Sequence, residues 1–279
     1  MKILLLLFAA LLVAGCGEKS SSEGSESVSE NPSGSRKVAK SSARTARPVP
    51  SKPRIAEAVS VNPNLKHQIK GGAVTITDCD AKASGALIIP AAIEGKPVTS
   101  IGKWAFYECI RLTSITFGTN SKLTSVGEKA FGRCMYLKSL TIPDGVTSIG
   151  SFAFGQCTSL TSITIPNGVT SISSGAFFQC SSRLTNITIP DSVTSIESWA
   201  FKSCSSLTSI TIPDGVTNIG GEAFAYCTSL TAVTFLGDAP KDGGRVFDEA
   251  APTIYRKPEA KGWGDTFAGR PVKLISEKP

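Results

Sequence analysis

The chain has 279 residues, of which 41% are hydrophobic and only 7% aromatic, and its formal net charge is +7. Residues 31–66 carry +7, whereas residues 67–279 carry only +2. The basic charge therefore lies in a stretch without aromatic residues, which is not the footprint of a folded nucleic-acid interface. We expect no nucleic-acid partner. The remaining 213 residues from 67 onward are enough for one domain with a substantial core.

The N-terminus has the pattern of an export signal. A positive start precedes eleven apolar residues, 3–13, a run shorter than the ~20 residues that span a bilayer and typical of a signal peptide. The run ends in Val-Ala-Gly-Cys at residues 13–16, which resembles a bacterial lipobox. The resemblance implies that 1–15 is a signal peptide and that Cys16 is lipidated. An ordinary secretory signal that happens to contain a cysteine is the alternative.

A tether is predicted after the lipidation site. Residues 16–66 are rich in Ser, Pro, Lys, Arg and Glu, a composition that predicts disorder. Two or three acyl chains would anchor it stably to a membrane. Gly17 and Glu18 differ from the Asp-based signal that retains lipoproteins at the inner membrane, so the resemblance implies an outer-membrane or cell-surface location. The basic half of the tether is either a solvated linker, which we favour, or a contact for anionic lipid or polymer.

The strongest signal in the sequence is an internal repeat. The dipeptide Ala-Phe recurs six times at spacings of 23 to 25 residues, and a Cys follows each Phe three residues later. The dipeptides are Ala105-Phe106, Ala130-Phe131, Ala153-Phe154, Ala176-Phe177, Ala200-Phe201 and Ala223-Phe224. Such a period predicts a solenoid of stacked coils.

One repeat shows how a coil would form. Residues 160–165 alternate β-branched apolar and hydroxyl side chains, which predicts a strand with its isoleucines inward. Pro-Asn-Gly at 166–168 predicts a turn, and 169–172 a second short strand. Residues 174–180 are expected to make a helical turn that buries a Phe and a Cys. Coils stacked at ~4.8 Å would then pair their strands in parallel.

The repeat unit, as in residues 142–163, resembles the BspA-like class of bacterial leucine-rich repeats, and the resemblance covers 73–279. It implies a β-rich, right-handed stack of about six 23-residue coils at 102–235, an N-terminal cap at 67–101 and a C-terminal cap at 236–279. Members of the class include surface proteins and adhesins, which favours binding over catalysis.

Candidate chemistry is sparse. The only histidine, His67, is expected to be exposed and uncommitted, which disfavours His-based triads and most zinc sites. Ser100 and Lys103 match Ser-x-x-Lys, a pattern that a Ser-rich chain produces by chance. Asp-Cys-Asp at 78–80 predicts a hairpin turn rather than a calcium loop. We expect no enzyme activity, no cofactor and no metal site.

The repeated cysteines have two interpretations. Neighbouring coils would bring like positions to ~5 Å, within the Cα range of disulfides. The alternative is a ladder of buried thiols that pack as small hydrophobic side chains. We favour the thiol ladder because stacked side chains would project in the same direction.

Polar side chains on the main strands form a candidate binding face. Its members are Ser114, Thr116, Ser139, Thr141, Ser162, Thr164, Asn186, Thr188, Ser209 and Thr211. This flat, uncharged face predicts hydrogen bonding to an extended protein or glycan, although a merely solubilising surface is the alternative and the face lacks aromatic platforms for sugars. The sequence favours a lipid-anchored adhesion module over a structural envelope component that self-associates or binds wall polymer. It leaves the oligomeric state open.

Overall fold

A computed structural model describes residues 62–278. The signal peptide, Cys16 and the tether up to residue 61 lie outside the described residues, so the predictions made for them remain predictions. The described chain contains nineteen strands and one 3-10 helix, Ile275–Glu277. The strands are β1 (Leu65–Lys70), β2 (Ala73–Cys79), β3 (Gly85–Ile89), β4 (Ala92–Ile93), β5 (Lys96–Ile101), β6 (Leu112–Phe117), β7 (Ser125–Val126), β8 (Ser139–Thr141), β9 (Ser148–Ile149), β10 (Ser162–Thr164), β11 (Ser171–Ile172), β12 (Ser195–Ile196), β13 (Ser209–Ile212), β14 (Asn218–Ile219), β15 (Ala232–Phe235), β16 (Lys241–Asp242), β17 (Thr253–Arg256), β18 (Thr266–Phe267) and β19 (Arg270–Leu274).

The strands form two lines that run along a stack of coils. The first strand line contains the sheets β2-β5-β7-β9 and β11-β12-β14-β16, and the second contains β10-β8-β6-β3 and β13-β15-β17-β19. Every pairing within these lines is parallel. Antiparallel partners occur only where β1, β4 and β18 join at the two ends. The predicted β-solenoid is confirmed.

The stack has about eight turns, compared with the six coils predicted from the Ala-Phe dipeptide. Both end segments continue the parallel pairing without that dipeptide: β2 pairs with β5 at one end, and β15, β17 and β19 pair in succession at the other. Phe247 also extends the buried ring stack, 23 residues after Phe224. Val precedes this Phe and Ala250 stands where the Cys would be, so the pattern missed it.

The local predictions for the coil at 160–172 are confirmed apart from exact lengths. Strand β10 places Ile163 inward between two exposed hydroxyl residues. The turn that follows is closed by the Val169 N–H, which donates to the Pro166 carbonyl oxygen at 3.1 Å. Strand β11 then returns the chain along the first strand line.

The expected helical turn at 174–180 is wrong, although its Phe and Cys are buried. Successive β-turns occupy this segment: the Phe178 N–H donates to Gly175 and the Cys180 N–H to Phe177, at 2.9 and 3.1 Å. The Phe177 N–H instead donates to the next coil, at the Ala200 carbonyl. In a helix, the backbone N–H groups would bond to carbonyls within the segment. Here every second N–H group bonds to a carbonyl of the next coil instead. We call this third side of every coil the turn side.

Phenylalanine rings form the centre of the core. Seven rings are fully buried, and consecutive centroids lie 5.0 to 5.7 Å apart with nearly parallel planes. The series is Phe106, Phe131, Phe154, Phe177, Phe201, Phe224 and Phe247. Each buried ring removes more apolar area from water than a buried aliphatic side chain does, so this ladder contributes strongly to the packing between coils.

The thiol ladder is confirmed, because all seven cysteines within residues 62–278 are free and buried. From the second repeat onward each thiol donates to the carbonyl of the Phe in the preceding coil, as Cys157 does to Phe131 at 3.1 Å. Burial raises the pKa of the Cys180 thiol to about 12 and that of Cys227 to about 12. Since the thiolate is the reactive form, Cys180 and Cys227 act as packing groups in the folded protein.

Candidate binding face

Stacking brings the ten predicted polar residues together on the outer surface of the second strand line. Parallel register sets Ser139 opposite Ser162 and Thr141 opposite Thr164. An isolated parallel bridge then joins Thr164 to Thr188. All ten are exposed or half-buried, while the residues between them point into the core. We call this surface of ten residues the hydroxyl face.

The side chains of the hydroxyl face are not used within the fold. Within residues 62–278, no side-chain hydrogen bond involves any of the ten. Threonines immediately outside the face behave differently: the Thr161 hydroxyl donates to the Lys138 carbonyl of the preceding coil at 2.9 Å, and the Thr208 hydroxyl to Thr185 at 3.2 Å. The face therefore presents donors and acceptors that remain available to a partner.

The two ends of the hydroxyl face differ chemically. At the N-terminal end the row through Thr116 continues to Ile88 of β3, whose side chain is 61% exposed. At the C-terminal end the row continues from Thr211 to Thr234, which is buried. The Lys278 ammonium donates to the Thr234 hydroxyl at 3.1 Å, so the chain terminus covers this end.

Two shallow depressions interrupt the flat surface. One of about 350 Å³ lies beside Asn186, Thr188, Ser209 and Thr211, with Asp191 at its rim. The other, of about 490 Å³, lies beside Thr116 and Thr141 and the adjoining loops. Both are open to solvent. They suit an extended partner better than a small molecule that must be enclosed.

The expectation that His67 is exposed and uncommitted is wrong. The residue lies in β1, its side chain is only 20% exposed, and its Nε2 atom lies 3.6 Å from the Glu94 carboxylate. The short antiparallel pairing of β1 with β2 holds it against the first coil. No nucleophile is placed beside it by these contacts.

Ser100 and Lys103 make contacts with the next coil. The Ser100 hydroxyl accepts a hydrogen bond from the Ser125 hydroxyl at 3.0 Å. The Lys103 ammonium lies 2.8 Å from the Glu128 carboxylate, and this contact is the main reason that the pKa of Glu128 is lowered. Both side chains thus take part in the joining of neighbouring coils.

The part of the chain that the structure describes contains no group of three or more His, Cys, Asp or Glu side chains able to hold a metal ion. In the same residues, no helix is both long and apolar enough to cross a membrane.

Sequence reasoning missed a second surface, on the turn side. Each turn contains two residues with positive φ, a conformation that costs non-glycine residues roughly 1–2 kcal/mol. The first position holds Trp104, Lys129, Phe152, Gly175, Trp199, Glu222 and Arg245. The second holds Glu108, Arg133, Gln156, Gln179, Ser203, Tyr226 and Glu249. Alignment of the repeats on the buried Phe would have shown that these positions vary, whereas the face positions on the main strands are Ser or Thr in every repeat except at Asn186.

The geometry defines a repeat protein of the β-solenoid class with exposed, polar side surfaces. A family model for the BspA type leucine rich repeat region matches it in six copies, over residues 89–183 and 124–250, more than half of the chain. The protein therefore belongs to the BspA-type leucine-rich-repeat family, as the repeat unit predicted. No curated protein matches the chain.

A solved structure gives the same fold. The chain is 29% identical to the leucine-rich-repeat protein TpLRR of T. pallidum, with a TM-score of 0.57 over 66% of this chain and 88% of that one. It is also 25% identical to a leucine rich cell surface protein from Faecalibacterium prausnitzii A2-165, with a TM-score of 0.40 over 69% of this chain and 75% of that one.

Proposed function

We propose that the protein is a non-enzymatic cell-surface binding or adhesion module, held to the membrane by lipidated Cys16, whose hydroxyl face recognises an extended protein or glycan. The observation that supports this most strongly is the set of ten exposed or half-buried polar side chains that make no intramolecular hydrogen bond within residues 62–278. Comparable threonines outside the face donate hydrogen bonds from their hydroxyls to carbonyls of the preceding coil. Membership of the family indicates the fold of the protein but not the identity of its ligand.

The hydroxyl face is rigid and regularly repeated, and both properties favour the binding of an extended chain. Eight of the ten residues lie in parallel strands, and Thr188 is joined to Thr164 by a parallel bridge, so little side-chain or backbone freedom has to be lost on binding. The polar groups repeat with the coil spacing of ~4.8 Å, and an extended chain laid along the stack meets several of them at once. Individual hydrogen bonds are each worth only about 0.5–1.5 kcal/mol, so affinity requires many of them. A long, regular face supplies that number.

The tether and anchor would present the solenoid away from the bilayer. A flexible chain of 50 residues has an r.m.s. span on the order of 40 Å. That span allows the hydroxyl face to reach partners outside the membrane surface.

The anchor is tested by Cys16→Ser, which removes the thiol that would be acylated. We expect loss of lipid labelling and release of the chain from the membrane fraction, or accumulation of uncleaved precursor. Metabolic labelling with an alkyne fatty acid and fractionation measure both. The matched control is a Ser substitution at the next cysteine, Cys79→Ser, which should keep the label. A Cys16→Ser protein that still carries the label would disprove the anchor.

The face is tested by placing two charges on it, Thr141→Lys with Thr164→Lys. The control double variant, Thr147→Lys with Thr170→Lys, places the same charges on exposed threonines beside the first strand line. The full chain and both variants are assayed against immobilised extracellular-matrix proteins, glycans, purified cell-wall polymer and the protein itself. We expect specific binding of an external protein or glycan, weakened about tenfold or more only by the first pair.

Two outcomes would contradict this proposal. Binding confined to wall polymer or to the protein itself would favour a structural envelope role. Equal affinity in the two double variants would place the contact elsewhere on the molecule.

A further inference from the structure

A depression of about 190 Å³ lies on the turn side, away from the hydroxyl face. It spans four successive coils, and each coil contributes at least one of its side chains. These side chains, which we call the turn-side cluster, are Tyr107, Lys129, Arg133, Phe152, Gln156 and Phe178. The volume is below the ~300 Å³ of ordinary ligand pockets, so it fits one ring of a longer ligand.

Glycine backbone holds the aromatic rings of the cluster in place. A Cβ atom added at Gly132 would lie 3.1 Å from a ring carbon of Tyr107, so this ring lies directly over the glycine. At Gly175, with φ of +60°, a Cβ would come within 2.3 Å of the Phe152 ring. The Phe152 ring meets Phe178 edge to face at a centroid distance of 5.9 Å. The rings are thus fixed at the surface and remain partly exposed.

The cationic groups of the cluster are unequal. The Arg133 guanidinium contacts the Glu108 carboxylate, and the Lys103 ammonium at the cluster's edge contacts Glu128. Within residues 62–278, no carboxylate lies within 4 Å of the Lys129 ammonium, which instead lies 4.2 Å from the centroid of the Trp104 ring. Lys129 therefore contributes a positive charge that is not in direct contact with a carboxylate of the fold.

Polar groups complete the cluster. The Gln156 side-chain N–H donates to the side-chain amide oxygen of Gln179 at 2.8 Å, which fixes the Gln156 amide and leaves its own amide oxygen as an acceptor. The Tyr107 hydroxyl, and after it the Glu108 carboxylate, raises the pKa of Arg133. The Arg133 guanidinium contacts the Glu108 carboxylate through one nitrogen, which leaves its other N–H groups as donors.

These groups match the chemistry of a charged sugar. A sugar ring has an apolar C–H face that packs against aromatic rings and an edge of hydroxyls that bond to amide and guanidinium groups. A carboxylate on that ring would pair with the free ammonium by a charge-assisted hydrogen bond. We infer that the turn-side cluster binds an acidic saccharide, a sugar ring that carries a carboxylate, as a second site separate from the hydroxyl face.

The test measures binding of the purified full chain to two carboxylated probes, tetragalacturonate and sialyllactose, by isothermal titration. The methyl esters of tetragalacturonate and of sialyllactose are the neutral counterparts, which keep the sugar rings and remove the charge. We expect at least one acid to bind, with about tenfold preference over its neutral counterpart. The probe that binds identifies a uronic acid or a sialic acid as the source.

Two substitutions separate the charge from the rings. Lys129→Met keeps a long side chain at the same positive φ and should abolish the preference for the acid over the neutral probe. Phe178→Ala should lower the affinity for the acidic probe about tenfold, because the contact between the ring and the sugar is lost. The matched controls, Lys138→Met and Tyr136→Ala, change exposed residues outside the cluster and should leave affinity within about twofold. Circular dichroism confirms that each variant is folded.

The inference is overturned if neither acid binds at about 1 mM, if Lys129→Met retains the preference, or if hexaglutamate displaces the sugar with equal affinity. Its outcome is independent of the proposed function, because Thr141→Lys with Thr164→Lys should leave acid-sugar binding unchanged.

Discussion

Replacing Phe177 by Ala should lower the free energy of unfolding by about 3–5 kcal/mol. The ring is only 1% exposed and lies between Phe154 and Phe201, at centroid distances of 5.6 and 5.4 Å. Both neighbours are fixed by their own coils, so the cavity cannot collapse. Because whole domains are stable by only about 5–15 kcal/mol, a loss in the middle of the stack is severe.

Urea denaturation followed by circular dichroism measures this loss. The adjacent residue supplies a matched control: Phe178→Ala removes the same ring from the half-exposed turn side and should cost about 1 kcal/mol or less. Similar losses in the two variants would mean that the ring ladder does not hold the coils together. A second, separate unfolding transition in the Phe177 variant would mean that the coils on its two sides unfold independently, since stacked repeats are stabilised by nearest-neighbour contacts.

Gly220→Ala should lower the free energy of unfolding by about 1–3 kcal/mol through overpacking. A Cβ at this position would lie 2.3 Å from the backbone nitrogen of Ser198 in the preceding coil. Relief requires the two coils to separate, which weakens the hydrogen bond from the Gly220 N–H to the Ile196 carbonyl at 2.7 Å.

The control for this substitution lies in the same coil. At Gly215 an added Cβ would have its nearest neighbour at 3.5 Å, an ordinary contact, so Gly215→Ala should change stability by no more than about 0.5 kcal/mol, or increase it. Thermal unfolding of the two variants makes the comparison. Equal melting temperatures would contradict the close approach of coils at Gly220.

The coil itself was predictable because its determinants are local. Alternation around Ile163 gives the strand, Pro166 gives the turn, and the recurrence of Phe177 and Cys180 in every unit gives the stack. The helical turn was predicted wrongly because Phe and Cys three residues apart suit a helix and a pair of β-turns equally well. The hydrogen bonds that favour the β-turns join residues of neighbouring coils, about 23 residues apart. The sequence of a single repeat therefore does not reveal them.

Two coils lack the glycine that other coils have at the end of the first strand line's strand, and the structure explains both replacements. Ser173 stands where Gly150 and Gly220 stand in other coils, and its hydroxyl donates to the Ile149 carbonyl at 2.6 Å. Glu197 occupies the same place in the next coil and accepts hydrogen bonds from two serine hydroxyls. Each replaces close backbone contact with a polar contact between coils.

The two candidate sites differ in how much of each was predictable. Period-two alternation was enough to place the hydroxyl face on one side of the sheet. It could not show which hydroxyls are free, because Thr161 and Thr164 belong to the same short segment and only the first bonds to the preceding coil. The turn-side cluster draws single residues from four coils between Tyr107 and Phe178, so only stacking brings it together.

The central claim is that a partner lies along the hydroxyl face of a fixed stack. Carbene footprinting of the full chain, with and without the ligand obtained from the binding panel, tests it most directly. We expect the ligand to reduce labelling at Ser139–Thr141 and Ser162–Thr164 and to leave Ser148–Ile149 and Ser171–Ile172 unchanged. Protection confined to the latter pair of strands, with the hydroxyl face fully labelled, would contradict the claim.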